Sequence, residues 1–155
     1  MTYILDTNII LDSVENLLTL SDNGTNTLVI PETVIDELDS KKVGFEDINF
    51  NARQFARLLE DSVILENKVV APLHIIKTSI ESLGINLLII SKKDYECDLQ
   101  TTAPNILNDR KILEAASDYI NKVEPATLIS LDIMFRTRAL SLGLAAEALT
   151  GKSSE

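Results

Sequence analysis

Short apolar runs alternate with longer segments of helical periodicity along this chain, and this alternation limits the folds that it can adopt. Residues 3–5 and 27–30 are apolar runs of strand length, and Pro31 ends the second. Between them, residues 9–20 are apolar enough for a packed helix. Two strands joined by one helix are expected to lie parallel, with a right-handed crossover. The chain therefore begins as a strand–helix–strand unit.

The same alternation continues along the rest of the chain. It predicts further strands at residues 87–90 and 128–131, and helices at residues 32–42, 51–61, 76–83, 108–123 and 135–142. This order of elements predicts an α/β fold, a three-layer α/β/α sandwich around a mostly parallel, Rossmann-like sheet. At 155 residues, we expect one domain over residues 1–150 and a loose tail at residues 151–155.

Composition excludes several classes of protein. No stretch approaches the roughly 18 apolar residues of a membrane span, and the N-terminus lacks the basic start of a signal peptide, so a cytoplasmic protein is expected. The lone cysteine, Cys97, permits no internal disulfide and predicts no zinc cluster. The formal charge of −10 argues against nucleic acid, because phosphate binding normally rests on Lys and Arg. That objection weakens if carboxylates converge on cations.

Four carboxylates are expected at one edge of the sheet. Asp6 and Asp132 each follow a predicted strand, and ligands of open α/β sheets bind outside the carboxyl ends of the strands. Glu37 and Asp109 lie near the beginnings of predicted helices that start at the same edge, with Asn108 as the N-cap beside Asp109. Each acid alone could instead cap a helix or lie in a first turn, where the helix dipole favours it.

Clustered carboxylates favour a divalent cation. Like charges a few ångströms apart raise one another's pKa, and a hard cation relieves that repulsion. Ligand sets made only of oxygen suit Mg²⁺ or Mn²⁺. One such ion can generate a hydroxide, and a second can stabilise the leaving oxygen of a phosphodiester displacement. The pattern therefore predicts a site with one or two ions that acts on phosphates.

Basic residues lie close to several of these acids in the chain. These basic residues would either bind substrate phosphates around the acidic site or serve as ordinary surface and ion-pair residues. The sequence Asn108-Asp109-Arg110 also allows Asp109 to pair with the adjacent guanidinium. The candidate phosphate contacts are Arg53, Arg57, Arg110, Arg136 and Arg138.

At these residues the sequence resembles the PIN-domain family, and in particular the PIN domain of PhoH-like proteins. The matching segments are YILDTNIIL, VIPETVIDELDSKK, FNARQFARLLED, NDRKIL and LISLDIMFRTRALSLGLAAEAL. The resemblance implies a single α/β/α domain that binds Mg²⁺ or Mn²⁺ and hydrolyses RNA. It also implies that Asn8 and Ser130 orient the metal ligands, which would be Asp6, Glu37, Asp109 and Asp132.

The sequence is compatible with three functions. The leading interpretation is a metal-dependent endoribonuclease acting on single-stranded or structured RNA, with RNA favoured over DNA. An alternative keeps the fold without turnover, as a PIN-like module that binds RNA or protein. A third, an acidic mimic of nucleic acid, predicts dispersed, exposed carboxylates. Partners would be a nucleic acid substrate and either a protein inhibitor or further copies of the chain, with no membrane.

Overall fold

The computed structural model describes residues 1–97 and 103–149. Residue 150 and the predicted tail at residues 151–155 lie outside the described residues. Strands and helices alternate in the order β1 (Thr2–Leu5), α1 (Thr7–Asp12), α2 (Glu15–Ser21), β2 (Thr27–Pro31), α3 (Glu32–Ser40), α4 (Asp47–Glu60), β3 (Val63–Val70), β4 (Leu73–Ile80), β5 (Ile85–Ser91), α5 (Pro104–Lys122), β6 (Thr127–Ile129), α6 (Ile133–Ser141) and β7 (Ala146–Glu147).

The described strands form one sheet in the order β3-β4-β5-β2-β1-β6-β7. Strands β5, β2, β1, β6 and β7 pair in parallel, and β3-β4 and β4-β5 pair antiparallel. Helices surround this mostly parallel sheet, so the predicted α/β fold is confirmed. The register pairs Leu5 of β1 with Ile129 of β6, which brings the residues after these two strands together.

The segment at residues 76–83 was predicted as a helix, and that prediction is wrong. Ile76 and Ile80 belong to β4, which lies between β3 and β5 in an antiparallel arrangement. Their spacing suits a helical stripe, but β4 also contains Leu73, Ile75 and Thr78, all buried. Pairing on both edges of β4 satisfies its backbone groups and decides the conformation.

Two predicted helices have different bounds in the structure. The helix predicted over residues 9–20 is divided into α1 and α2, because Ser13 is extended and ends α1. Helix α5 begins at Pro104, with Ala103 rather than Asn108 as its N-cap. Proline suits the first position of a helix, since it has no N–H to leave unsatisfied. Asp109 therefore lies beyond the first turn, where the dipole of the helix has less influence.

The core consists mainly of Ile, Leu and Val, as the low aromatic content implies. The largest fully buried side chains are Tyr119, Phe55 and Phe135, each no more than 2% exposed. They pack with the buried strands, so the helices are fixed against the sheet by apolar contact. In the part of the chain that the structure describes, no helix is both long enough and apolar enough to span a membrane.

Candidate functional site

Asp6 lies directly after β1 and is the N-cap of α1. Its Oδ1 accepts a hydrogen bond from the Thr7 backbone N–H at 2.8 Å, and its Oδ2 accepts one from the Ser130 hydroxyl at 2.7 Å. The side chain is held at the carboxyl edge of the sheet, and the residue is only 5% exposed. Both carboxylate oxygens are therefore oriented by the protein.

The surroundings of Asp6 disfavour its ionised form. The pKa of Asp6 is raised from 3.8 to about 6, chiefly by burial, against the lowering effect of the hydrogen bonds from Ser130 and Thr7. The charges of Asp109 and Glu37 contribute to this rise. Asp6 is thus a carboxylate whose charge the metal-free fold opposes, and a cation beside it would favour that charge.

Ser130 connects Asp6 to Asp132. Its hydroxyl oxygen accepts a hydrogen bond from the Asp132 backbone N–H at 3.0 Å while it donates to Asp6. Asp132 caps α6, since its Oδ1 accepts from the Met134 N–H at 2.9 Å. The Arg136 guanidinium donates to the Ser130 carbonyl at 2.7 Å. Hydrogen bonds from the side chains of Ser130, Asp132 and Arg136 therefore fix the loop between β6 and α6.

Glu37 is held through Thr7, a contact that the sequence analysis missed. The Thr7 hydroxyl donates to Glu37 Oε1 at 2.6 Å. Thr7 is buried and lies between Asp6 and Asn8. Its only signal in the sequence was its place in the Asp-Thr-Asn triplet. One hydroxyl thus fixes an acid of α3 relative to the start of α1.

Asp109 is paired with a basic residue of α6. The Arg138 guanidinium donates to Asp109 Oδ2 at 2.8 Å. Burial raises the pKa of Asp109, Arg138 opposes this effect, and the charges of Glu37 and Asp132 add to it. The cation that meets Asp109 comes from a residue distant in the sequence. Among the described residues Arg138 bonds to Oδ2 alone, so Oδ1 could accept a ligand.

One cavity of about 430 Å³ gathers the predicted acids. Its lining includes Asp6, Glu37, Asp109 and Asp132. Exposed Asn8, which by the family resemblance would orient the metal ligands, also lines it. Among the described residues, no group of three or more His, Cys, Asp or Glu side chains is placed to hold a metal ion. The acids share a cavity without forming a closed ligand cage.

None of the five arginines predicted as phosphate contacts is among the described residues that line this cavity. Within residues 1–97 and 103–149, the basic residue that lines the cavity is Lys41 rather than an arginine. Arg53 donates from Nη1 to the carbonyls of Lys42 and Gly44 at 2.7 and 2.9 Å, so its guanidinium holds the loop before α4. Arg57, on the same helix, is exposed. Arg136 and Arg138 are engaged with Ser130 and Asp109 as described above.

Replacing Arg53 with alanine should lower the free energy of unfolding by about 2 kcal/mol, because two charge-assisted hydrogen bonds are lost. The exposed Arg57→Ala variant is the control and should change it by less than about 0.5 kcal/mol. Urea unfolding measures both. Affinity for single-stranded RNA should fall no further in Arg53→Ala than in Arg57→Ala. Unchanged stability with a larger loss of affinity would instead make Arg53 a phosphate contact.

Comparison with known proteins identifies the family to which this chain belongs. A family profile described as "PIN domain" matches residues 3–150, and the chain belongs to that family. The chain is 28% identical over 151 residues to Protein PhoH2 of Bacillus subtilis (strain 168), covering 94% of this chain and 32% of that protein. It is 27% identical over 146 residues to Protein PhoH2 of Mycolicibacterium smegmatis, covering 94% and 31%. The chain thus spans about a third of the length of these relatives.

Solved structures agree on the fold. A domain of a functionally unknown protein from Methanocaldococcus jannaschii DSM 2661 matches with a TM-score of 0.62 at 16% identity, covering 99% of this chain and 94% of that one. VapBC2 from Rickettsia felis, solved bound to a DNA fragment from their promoter, matches with a TM-score of 0.51 at 23% identity, covering 96% and 98%. Membership of a family that consists generally of nucleases supports phosphodiester hydrolysis as the chemistry of this fold.

Proposed function

We propose that the chain is a divalent-metal-dependent nuclease, an endoribonuclease acting on single-stranded or structured RNA. The observation that carries the proposal is the gathering of four carboxylates from four parts of the chain around one cavity. Surface acids without a shared ligand gain nothing from such proximity, because each raises the free energy of ionising its neighbours. An acidic mimic of nucleic acid would instead spread its carboxylates over the exposed surface.

The donor set fits Mg²⁺ or Mn²⁺. Every proposed ligand atom is a carboxylate oxygen, and Mg²⁺ commonly keeps several waters while binding one or two carboxylates directly. Asp6 and Asp132, both oriented by hydrogen bonds, would hold it directly, with Glu37 and Asp109 contacting it directly or through water.

The remaining residues would orient these ligands and the substrate. Ser130 keeps Asp6 and the Asp132 backbone in register, and Thr7 fixes Glu37. Lys41 lies on the wall of the cavity, where its ammonium group would meet a substrate phosphate. A bound ion would supply a hydroxide at neutral pH and offset the charge of the displaced phosphate oxygen.

Cleavage of a labelled single-stranded RNA in Mg²⁺ or Mn²⁺ tests the proposal. Asp132→Asn should reduce the rate by about 10²-fold or more, because it removes a charged ligand. Asparagine is as good an N-cap as aspartate, so α6 should remain formed. The control is Asp39→Asn on α3, whose exposed carboxylate pairs with Lys42 away from the cavity. Equal rates in both variants, or no metal requirement, would refute the site.

A module that binds RNA without cutting it is the second candidate, and the lack of a three-ligand cluster among the described residues favours it. This alternative predicts that RNA binds with no cleavage in either metal at any pH. It also predicts that Asp132→Asn tightens binding, because one negative charge is removed near the polyanion. A loss of cleavage with unchanged affinity in Asp132→Asn would exclude it.

A further inference from the structure

Strand β3 lies at the edge of the sheet and carries exposed apolar side chains. In the described part of the chain it pairs with β4 alone, so its other edge presents unpaired N–H and C=O groups. Seven of its eight residues are exposed. Four of them are large and apolar, with exposed fractions of 47%, 64%, 52% and 72% for Val63, Ile64, Leu65 and Val69. A long apolar edge of this kind favours pairing with another strand.

The sequence of β3 is complementary to itself in an antiparallel pair. When two copies of β3 pair around a two-fold axis at Asn67, Glu66 of each copy lies opposite Lys68 of the other. Apolar residues, among them Leu65 and Val69, flank this charged centre on both sides along the strand. Opposite charges directly across two strands stabilise the pair.

Neighbouring registers lack this complementarity. Moving the axis by one residue toward the N-terminus places Glu66 against Glu66, and moving it the other way places Lys68 against Lys68. Like charges directly opposite one another destabilise a strand pair. The charges of β3 therefore favour one register over its neighbours. Exposed apolar side chains alone would not distinguish between these registers.

We propose that β3 is a homodimer interface, in which the β3 strands of two copies pair antiparallel about a two-fold axis at Asn67. The pair would join the two sheets into one. Two-fold pairing also closes the assembly, because each copy then has its β3 edge covered. The opposite edge of the described sheet is β7, which has only two residues and offers little to extend. This interface is independent of the proposed nuclease site.

An irregularity in β3 is compatible with this register. The ladder between β3 and β4 shifts between Ile64 and Glu66, so Leu65 is the extra residue of a bulge. Bulges at sheet edges limit continued pairing. The regular part, Glu66 to Val70, contains the axis and both charged positions. We therefore expect the dimer pair to be centred there and to weaken toward Val63.

Charge reversal tests the interface through the dissociation constant of the dimer, measured by sedimentation at low salt. Glu66→Lys and Lys68→Glu should each weaken the dimer about tenfold or more, since each change affects both symmetry-related pairs. The double variant should restore it. The controls Glu60→Lys and Lys122→Glu make the same charge changes at exposed positions of other elements and should leave the constant unchanged. Single variants that do not weaken the dimer, or a double variant that does not recover, would overturn the register.

A disulfide tests the position of the axis. In a Cys97→Ser background, Asn67→Cys should form an intermolecular disulfide under mild oxidation, because residues directly opposite in an antiparallel pair have Cα atoms about 4.5–5.5 Å apart, within disulfide range. Lys122→Cys in the same background is the control and should remain reduced. A protein that stays monomeric at the highest soluble concentration, or equal cross-linking at both positions, would overturn the proposal.

Discussion

Asp6→Asn should strongly reduce metal-dependent cleavage and, in the absence of metal, make the fold more stable. The proposed site requires a charged oxygen at the edge where Asp6, Glu37 and Asp109 repel one another. Asparagine keeps an oxygen that can cap α1 but removes the charge. We expect the cleavage rate to fall by about 10³-fold, which corresponds to roughly 4 kcal/mol of lost transition-state stabilisation.

The gain in stability follows from the pKa of Asp6. Raising that pKa from 3.8 to about 6 means that the ionised group destabilises the fold by about 3 kcal/mol at neutral pH. Asparagine removes this penalty. However, its amide has one oxygen and cannot accept hydrogen bonds from both Thr7 and Ser130 as the two Asp6 oxygens do. We therefore expect a net gain of about 1–3 kcal/mol, in line with the general conflict between stability and function at active sites.

The pH dependence of the free energy of unfolding shows whether the raised pKa of Asp6 is the cause of this gain. Between pH 3.8 and about 6 the folded state keeps the Asp6 proton longer than the unfolded state, so the contribution of Asp6 to stability falls as pH rises through that window. It is constant above it. The advantage of Asp6→Asn should therefore be full near neutral pH and should shrink toward zero near pH 4, as measured by urea unfolding in EDTA.

Metal binding provides a second measurement on the same variant. Millimolar Mn²⁺ should raise the melting temperature of the unsubstituted protein, because an ion that binds only the folded state stabilises it by mass action. The shift should be much smaller in Asp6→Asn. An equal shift in both proteins would place the ion elsewhere. A variant that loses cleavage without gaining metal-free stability would contradict the conclusion that burial and the neighbouring carboxylates disfavour the ionised form of Asp6.

The strand ends that form the site could be predicted from the sequence. Asp6 and Asp132 each follow a short apolar run, and the rule that ligands bind beyond the carboxyl ends of parallel strands places both at one edge. The contacts that hold the acids could not be predicted. Glu37 meets Thr7 and Asp109 meets Arg138 across 30 and 29 residues, and periodicity gives no information about such distant partners.

The errors in the predicted elements have physical causes. Ile76 and Ile80 are four residues apart, which fits a helical face, and only pairing with β3 and β5 shows that they belong to a strand. Asp109 was placed in a first turn because Asn108 is a good N-cap, whereas Pro104 begins the helix four residues earlier. Local signals thus identified the helix but not its start, which is the less reliable part of such predictions.

Lys92→Met should destabilise the fold by about 3–5 kcal/mol. The Lys92 ammonium group lies 2.7 Å from both Glu114 and Asp118 of α5, and its side chain is only 6% exposed. Burial alone would lower the pKa of Lys92, but hydrogen bonds to these two carboxylates raise it above its ordinary value. Removing the cation leaves two partly buried carboxylates unpaired, which is strongly destabilising.

This ion-pair group also bears on the candidate site. Lys92 directly follows β5, and α5 carries Asp109 as well as Glu114. Glu114 accepts further hydrogen bonds from the backbone N–H groups of Glu96 and Cys97. The cluster therefore attaches α5 and the chain after β5 to one another. In Lys92→Met, we expect α5 to be less firmly held, so cleavage should also fall if Asp109 contributes to it.

A matched surface variant separates the effect of burial from the loss of a charge. Lys42 pairs with Asp39 at the same distance of 2.7 Å, but their side chains are 43% and 70% exposed. Lys42→Met should change the free energy of unfolding by less than about 1 kcal/mol, because exposed ion pairs are screened by water. Urea unfolding compares the two variants, and equal losses would contradict the burial argument.

Neutralising the partners should rescue the Lys92 variant. In Lys92→Met with Glu114→Gln and Asp118→Asn, no unpaired charge remains, so much of the lost stability should return. Burial acts to raise the pKa of Glu114, but the hydrogen bond from Lys92 and other contacts lower it overall from 4.5. The ionised Glu114 therefore stabilises the fold above pH 4.5, and this stabilisation is lost as pH falls further. The cost of Lys92→Met alone should accordingly shrink in acid. A cost that is the same at neutral and acid pH would mean that lost packing around the lysine stem, rather than unpaired charge, destabilises the fold.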